Sequence, residues 1–267
     1  MISVCMATYN GEKYIRPQID SILYQLSLND ELIISDDGST DRTMNILKEY
    51  NDPRIKIYTH HRERQKFKYG YTTKNIENAL IQANGDIIFL SDQDDVWIDG
   101  KVKFFLKKLE KSDFVLSDCS IVDSCLNILA LSKFQFENVK MGFWRNIYKN
   151  GYMGSSMAFK RFILNYALPF PKNVPHDMWI GLISTVICKQ SLLYESTLLY
   201  RRHDLNVSFT NNRLLDKLKK TNAIGLKKNS NNFIFQIHYR LIVLKNFFVF
   251  LLKLAFINKE FIKVLQE

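Results

Sequence analysis

Short apolar runs alternate with helix-like segments through the first half of this 267-residue chain, and this alternation constrains the fold most. The strand-like runs are residues 2–8, 31–35, 54–59, 86–90 and 114–117. The helix-like segments between them are residues 14–26, 42–50, 74–84 and 100–111. The run at 86–90 is nearly all apolar, which is typical of a buried parallel strand. The order βαβα predicts a mostly parallel, Rossmann-like α/β sheet that is flanked by helices.

The second half of the chain is less regular, and its last part is basic and helical. Residues 154–159 and 192–202 resemble strands, and residues 177–188 resemble a helix. We therefore predict an α/β domain over residues 1–212 and a basic, amphipathic helical extension over residues 213–267. The extension carries eleven Lys or Arg residues and three Asp or Glu residues, so it holds most of the net charge of +10.

Residues 241–257 of this extension are strongly apolar, but Lys245, Asn246 and Lys253 interrupt them and the segment is short for a transmembrane helix. They predict either a helix that lies on a membrane surface or a helix that packs on the body of the protein. The N-terminus, MISVCMATYN, lacks the basic and long apolar regions of a signal peptide. We expect a cytoplasmic protein, and the basic extension leaves open a peripheral position on the inner face of the plasma membrane.

Polar clusters follow three of the predicted strands at their carboxyl ends, where α/β sheets bind ligands. The clusters are Thr8-Tyr9-Asn10, Asp36-Asp37-Gly38-Ser39 and Ser91-Asp92-Gln93-Asp94-Asp95. Three carboxylates within four residues repel one another, so a cation or hydrogen-bond donors must compensate them. Mg²⁺ and Mn²⁺ prefer oxygen ligands, and Mg²⁺ commonly joins protein carboxylates to phosphates. The third cluster therefore fits a nucleoside-diphosphate site, and the structural alternative is a solvated acidic turn that caps the next helix.

Three motifs together carry a resemblance to a known family. ATYNGEKYI, SDDGSTD and FLSDQDDVW occur in this order, each at the end of a predicted strand. The chain resembles glycosyltransferase family 2, with its GT-A fold, and SDQDDVW is similar to bacterial members that transfer rhamnose and related sugars. The resemblance covers residues 1–208. It implies an inverting, metal-dependent enzyme that moves a sugar from a nucleoside-diphosphate donor, such as dTDP-rhamnose, to a glycan or polyprenyl-linked acceptor in cell-surface polysaccharide synthesis.

The resemblance also implies a role for individual residues of this chain. The residues expected to contact the donor are Thr8, Tyr9, Asn10, Glu12, Asp36, Asp37, Lys74 and Asp92. The residues expected to bind Mg²⁺ or Mn²⁺ are Asp94, Asp92 and His203. The residues expected on the acceptor side are Gly154, Ser155 and Trp179, and packing in the core is the structural alternative for Trp179. Lys74 stands where many relatives carry Arg, so it would neutralise phosphate without a bidentate fork.

Asp177, in the segment VPHDMW, is the catalytic base that the resemblance implies. Family members usually carry a Glu-Asp pair where this chain has His176-Asp177, at the beginning of a helix. An inverting transfer needs a carboxylate opposite the leaving group, because the acceptor hydroxyl must lose its proton as it attacks. The structural alternative for Asp177 is capping of that helix, and one side chain is able to do both.

Two other functions fit parts of the sequence. A nucleotidyltransferase also uses a Rossmann-like sheet and a metal, but no glycine-rich phosphate-binding motif with Lys or Arg occurs near the N-terminus. A nucleic-acid-binding protein would use the basic tail, yet the acidic strand ends would repel a phosphate backbone unless a cation intervened. We therefore expect a nucleotide-sugar donor and a glycan or lipid-linked acceptor as partners, and no nucleic acid.

Overall fold

The computed structural model describes residues 1–203 and 231–264. The strands are β1 (Ile2–Thr8), β2 (Glu31–Asp36), β3 (Ile55–Thr59), β4 (Ile87–Asp92), β5 (Val96–Trp97), β6 (Phe114–Val122), β7 (Ile128–Ala130), β8 (Met157–Lys160) and β9 (Gln190–Arg201). The helices are α1 (Ile15–Leu23), α2 (Thr43–Lys48), α3 (Gly70–Ile81), α4 (Lys101–Leu109), α5 (Lys133–Glu137), α6 (Phe143–Tyr148), α7 (Leu164–Ala167), α8 (His176–Ile187) and α9 (Asn231–Val264). The elements predicted for the first half are therefore present, although α3 begins earlier and β6 continues further than predicted.

The described strands form one sheet in the order β3-β2-β1-β4-β8-β6-β9-β5, with β7 paired to β6. Strands β1 to β4 are parallel to one another, as the alternation of strands and helices predicts. Strand β8 differs, because it lies between β4 and β6 and runs antiparallel to both. Apolar composition predicts a strand but not its direction, so the sequence pattern could not show this reversal. The parallel half keeps the carboxyl ends of β1, β2 and β4 at one edge of the sheet.

Apolar side chains pack on both faces of the sheet. Side chains of β1 alternate between the faces, so Val4 and Met6 enter one core while Cys5 enters the other. The core on the Val4 face includes buried residues of α1, α2 and α4, and the core on the Cys5 face includes residues of α3 and α8. Because both faces of the sheet are covered, the polar residues at the carboxyl ends of the strands lie at the edge of the sheet.

Helix α9 packs on the body through part of its surface. Val243, Phe247 and Phe250 are buried and belong to the core on the Cys5 face. The ring of Phe247 lies 4.2 Å from the ring of Phe143 in α6 and 6.4 Å from that of Trp179 in α8, measured between centroids. This is one of the two positions that the sequence left open for the helix. Within the part of the chain that the structure covers, no helix has both the length and the apolar composition of a transmembrane span.

Some predictions concern residues outside the described ranges. The predicted domain boundary between residues 212 and 213 lies in the segment 204–230. Most of the basic residues of the predicted extension also fall outside: they are Arg213, Lys217, Lys219, Lys220, Lys227 and Lys228. The described part of the extension is thus helix α9.

Candidate active site

The acidic turn, residues 92–95, begins at the carboxyl end of β4, beside the end of β1. Oδ2 of Asp94 lies 2.8 Å from Nε2 of His203. Asp95 is fully buried, and its Oδ1 accepts a hydrogen bond of 2.9 Å from the backbone N–H of Arg201. Nε of Arg201 donates to the backbone oxygen of Asp94 at 2.7 Å. The end of β9 therefore holds the acidic turn in place and brings together two of the three predicted metal ligands, Asp94 and His203.

Asp92, the third predicted metal ligand, experiences the charges of the other carboxylates. Burial raises the pKa of Asp92 to about 7, and the charges of Asp94 and Asp177 add to this effect. The predicted base and the predicted metal ligands Asp92 and Asp94 therefore influence one another electrostatically.

A buried lysine lies beneath the acidic turn. The side chain of Lys101, at the beginning of α4, is fully buried, and its Nζ donates to the backbone oxygen of Ser155 at 2.7 Å. Burial lowers the pKa of Lys101 to about 7, whereas the charges of Asp95 and Asp92 oppose that shift. A cationic group among carboxylates offsets part of their repulsion. Lys101 is not among the site residues that the sequence motifs predict.

Gln93 joins the acidic turn to the loop after β1. Its Oε1 accepts from the backbone N–H of Tyr9 at 2.9 Å and from Oγ1 of Thr8, and its Nε2 donates to the backbone oxygen of Tyr9 at 3.0 Å. A Cβ on Gly11 would lie 2.4 Å from Oε1 of Gln93, so a larger residue at position 11 would displace the side chain of Gln93. The two predicted donor residues Thr8 and Tyr9 therefore lie directly beside the acidic turn, and Tyr9 remains 39% exposed.

The two aspartates after β2 have different surroundings. Asp36 accepts hydrogen bonds from the backbone N–H groups of Gly38 and Ser39, at 3.0 and 2.9 Å, and so shapes the turn in which Gly38 has a φ of +77°. Asp37 is buried, and its Oδ1 lies 2.7 Å from Nδ1 of His60. Burial raises the pKa of Asp37, although His60 opposes that shift. Asp37 is therefore the one of the pair whose carboxylate is not used to form the turn.

Asn10 and Glu12, both predicted to contact the donor, join the first loop to the second. Oδ1 of Asn10 accepts from the backbone N–H of Thr40 at 2.8 Å. Oε2 of Glu12 accepts from the backbone N–H of Arg42, at the start of α2, at 2.9 Å. These carboxylate and amide groups hold the two loops together, so the structure gives both residues a positioning role.

Asp177 lies in the first turn of α8, where Pro175 precedes the helix. Oδ1 of Asp177 accepts from the backbone N–H of Met178 at 2.6 Å, and burial raises the pKa of Asp177. The backbone N–H of His176 donates to Oγ1 of Thr73 at 3.3 Å, which ties α8 to α3. A Cβ on Gly154 would lie 3.1 Å from Nε2 of His176 and 3.9 Å from Cβ of Asp177, so Gly154 lies close to the predicted base.

A family comparison identifies the class of protein. The model of the family described as Glycosyl transferase family 2 matches residues 3–166, which is more than half of the chain. The chain belongs to glycosyl transferase family 2. The match includes the acidic turn and ends in α7, so Asp177 and His203 lie beyond it. The assignment favours sugar transfer over the nucleotidyl transfer that the sequence left as an alternative.

Two curated relatives are similar to this family 2 chain over most of its length. The UDP-Glc:alpha-D-GlcNAc-diphosphoundecaprenol beta-1,3-glucosyltransferase WfgD of Escherichia coli is 27% identical over 253 residues, which cover 86% of this chain and 95% of WfgD. The dTDP-rhamnosyl transferase RfbG of Shigella flexneri is 30% identical over 247 residues, which cover 84% of this chain and 79% of RfbG. The names of the two relatives thus specify different donors.

Solved structures support the GT-A fold of this family 2 chain. TarS 1-349 of S. aureus in complex with UDP-GlcNAc has a TM-score of 0.60 at 18% identity, over 90% of this chain and 70% of that chain. The mannosyltransferase PcManGT of Pyrobaculum calidifontis, in complex with GDP-Man and Mn²⁺, has a TM-score of 0.50 at 19% identity. This chain spans 56% of that mannosyltransferase.

Trp179 is not available on the acceptor side, which corrects the sequence prediction. Its side chain is 4% exposed, and its Nε1 donates to the backbone oxygen of Ala167 at 3.1 Å. Its ring packs against Phe247 and Phe250 of α9, because the helix position that follows Asp177 by two residues faces the core.

Lys74, which the sequence predicts to contact the donor, forms an ion pair with Glu77 in the next turn of α3 and remains partly exposed.

The residues of the acidic turn fit a cation that is shared with a ligand. Within residues 1–203 and 231–264, no group of three or more His, Cys, Asp or Glu side chains has the arrangement of a complete metal site. Asp94 and His203 form a pair, and Asp92 lies near it. Mg²⁺ at a phosphate site usually takes only one or two protein ligands and completes its shell with phosphate oxygens and water. The carboxylates and the histidine therefore fit a cation that is completed by phosphate and water better than a cation enclosed by protein ligands alone.

Proposed function

We propose that this family 2 enzyme is an inverting, cation-dependent glycosyltransferase that uses Asp177 as its catalytic base. The observation that supports the proposal is the position of Gly154, because a Cβ there would lie 3.9 Å from Cβ of Asp177 and 3.8 Å from Cδ1 of Leu90 in β4, the strand that ends in the acidic turn. Sheets of this class bind their ligands at the carboxyl ends of the strands, where the acidic turn lies. The same site thus has groups for a leaving diphosphate and a group for an attacking hydroxyl.

In the proposed reaction, a carboxylate oxygen of Asp177 takes the proton of the acceptor hydroxyl. The hydroxyl oxygen forms a bond to the anomeric carbon of the donor sugar while the bond from that carbon to the diphosphate oxygen breaks. Attack from the side opposite the leaving group inverts the configuration at this carbon. Burial raises the pKa of Asp177, so its carboxylate is a stronger base than an exposed aspartate.

We propose Mg²⁺ or Mn²⁺ as the cation, held by Asp94 and His203 with Asp92 beside them. When bound, a divalent cation neutralises the charge that develops on the departing diphosphate. Asp95 and Arg201 keep the turn in position, and Lys101 balances part of its charge. The similar fold of PcManGT in complex with Mn²⁺ supports this part of the proposal.

The donor is proposed to carry a uracil or thymine base. Asp37 presents a buried carboxylate next to the end of β1, where its backbone N–H donates to the backbone oxygen of Thr8 at 3.0 Å, and both bases offer a ring N–H to such an acceptor. dTDP-rhamnose, which the sequence motif favours, and UDP-glucose, which the name of WfgD specifies, are the two donors to compare. The acceptor is proposed to be a lipid-linked glycan, as the name of WfgD indicates for that relative.

A transfer assay tests the proposed function. Purified protein with Mn²⁺ is given UDP-glucose or dTDP-rhamnose and a diphosphate-linked lipid acceptor, and the product is identified by mass spectrometry and by the configuration of the new bond. We expect one donor to give a product of inverted configuration, and we expect Asp177→Asn to bind donor but to form product at least about 100-fold more slowly. Retention of configuration, or normal transfer by Asp177→Asn, would refute the proposed mechanism.

We also propose that α9 contacts an anionic membrane surface through the side that faces away from the core. Among residues 237–255 of this helix, the large apolar side chains that are exposed are Ile237, Leu241, Phe248, Val249 and Leu252. Lys245 and Lys253 are also exposed, and this combination favours the interface of an anionic bilayer. A lipid-linked acceptor would then lie close to the helix that packs beside α8, which carries Asp177.

Flotation with vesicles tests the membrane contact. We expect the protein to float with vesicles that contain anionic lipid and to float less after Leu241→Glu and Phe248→Glu are combined. Leu28→Glu is the matched control, because Leu28 is 83% exposed and lies outside α9. Equal flotation of the double variant and the control would exclude α9 as the contact.

A further inference from the structure

Arg62 contacts three residues at the base end of the proposed donor site. It belongs to the connection between β3 and α3. Its guanidinium carbon lies 3.8 Å from the ring centroid of Tyr9 and 4.1 Å from that of Tyr71. Its Nε lies 3.5 Å from Oδ2 of Asp37. One planar cation therefore lies over two aromatic rings and beside the carboxylate that we propose for base recognition.

A guanidinium group and a nucleobase share the features that these contacts use. Both are flat, so both stack on an aromatic ring. Both present N–H donors at an edge, and uracil and thymine have one such donor in the ring. Tyr9 and Asp37 thus offer Arg62 the kind of contacts that they would offer a base.

We propose that Arg62 occupies the place of the donor's base in the empty enzyme, and that the donor must displace it in order to bind. This inference rests on the proposed function, because it requires a nucleoside-diphosphate donor. It assigns to Arg62 the role of setting the affinity and selectivity of the donor site. His60 keeps its own contact with Asp37, so the carboxylate stays oriented when Arg62 leaves.

Displacement has a consequence for selectivity. A ligand that contacts both the ring of Tyr9 and the carboxylate of Asp37 replaces the favourable contacts that are lost when Arg62 leaves. A sugar phosphate without a base replaces neither, so Arg62 discriminates against it. The apparent dissociation constant equals the intrinsic one divided by the fraction of molecules in which the site is open. Removal of Arg62 should therefore tighten nucleotide binding.

The test compares Arg62→Ala with wild type by calorimetric titration of UDP and dTDP in the presence of Mn²⁺. We expect the dissociation constant of the preferred nucleotide to fall by roughly threefold to tenfold, as for a site that is open in about a tenth to a third of the molecules. Arg64→Ala is the matched control, because it removes an equal charge from an exposed position in the same connection. The control should bind like wild type.

A second variant and a second measurement separate displacement from a change in folding. Tyr71→Leu removes one of the two rings over Arg62 and leaves Tyr9 and Asp37 intact, so it should also tighten binding. In wild type, hydrogen exchange in the peptide that covers residues 60–69 should become faster when nucleotide binds, because Arg62 is released. Slower exchange would mean that this connection closes on the nucleotide with Arg62 as a ligand, which would overturn the inference.

The possible results are distinguishable. Tighter binding by Arg62→Ala and Tyr71→Leu supports displacement. Unchanged or weaker binding by Arg62→Ala, with normal binding by wild type, overturns the role of Arg62 and leaves the proposed function intact. Failure of wild type to bind any nucleoside diphosphate with Mn²⁺ overturns the proposed function and this inference with it.

Discussion

Asp177 makes a structural contact in addition to the role of base that we propose for it. It accepts a hydrogen bond from the backbone N–H of Met178 in the first turn of α8, so its side chain is oriented by its own helix. We expect Asp177→Asn to lower kcat by a factor of about 10² to 10⁴, the usual contribution of a general base, because an amide cannot take the proton. The dissociation constant of the donor should stay unchanged. Steady-state kinetics and a donor titration measure the two quantities.

The pH dependence of transfer follows from the same residue. Burial raises the pKa of Asp177, and the base works only when it is deprotonated. Activity should therefore be lost as the pH falls through a pKa that lies above the ordinary value of about 3.9 for aspartate. A profile of kcat against pH checks this, and an acidic limb at or below the ordinary value would contradict it.

Gln93 shows how a neutral residue can organise an acidic site. Its three hydrogen bonds to Thr8 and Tyr9 fix the first loop against the acidic turn. We expect Gln93→Ala to weaken nucleotide binding roughly tenfold, since each hydrogen bond contributes about 0.5 to 1.5 kcal/mol. The matched control is Gln135→Ala on the exposed side of α5, and titration calorimetry measures both. Equal affinities for the two variants would show that the first loop does not need Gln93.

Several candidate site residues stand out in the sequence because they occur in recognisable motifs. Asp92 and Asp94 lie in a motif at a strand end, and Asp177 lies in a motif at the start of a helix. The role of Arg62 could not be predicted, because its contacts with Tyr9 and Asp37 join separate loops and no local pattern records them. Lys101 did leave a signal, since it begins a helix whose buried side also carries Val102 and Phe105. A lysine on that apolar side has to find a polar partner.

The elements of the fold were predictable where their patterns are local. Helix α8 and strand β9 lie close to the predicted ranges 177–188 and 192–202. The antiparallel direction of β8 was not predictable, because it depends on which strands it joins and not on its own composition. The position of α9 on the body also depends on distant partners, such as Phe143 and Trp179.

Helix α9 permits a matched test of its packing. Phe247 is 6% exposed and Phe248, its neighbour in sequence, is 61% exposed. We expect Phe247→Ala to lower the free energy of unfolding by about 3 to 5 kcal/mol, because it leaves a cavity among aromatic rings. Phe248→Ala should change it by less than about 0.5 kcal/mol, as for other surface substitutions. Chemical denaturation of both variants measures the difference, and similar losses would contradict the packing of α9.

For the whole molecule, a bound ligand should appear as added stability. A nucleotide that binds only the folded protein stabilises it by about 2.7 kcal/mol at a concentration of 100 times its dissociation constant. We expect the preferred nucleoside diphosphate to raise the melting temperature only when Mn²⁺ or Mg²⁺ is present. The Asp94→Ala variant should show no such increase. An equal increase in EDTA would indicate binding without a cation.

The acidic turn depends on a contact that spans much of the chain. Asp95 and Arg201 are separated by 106 positions, and the hydrogen bond between them joins the turn to the end of β9. During synthesis at roughly 5 to 20 residues per second, the ribosome would need about 5 to 20 s to add the intervening segment. A nascent chain that contains residues 92–95 but not yet Arg201 therefore lacks the hydrogen bond that holds the acidic turn. We expect the protein to become active only after most of the chain has been translated.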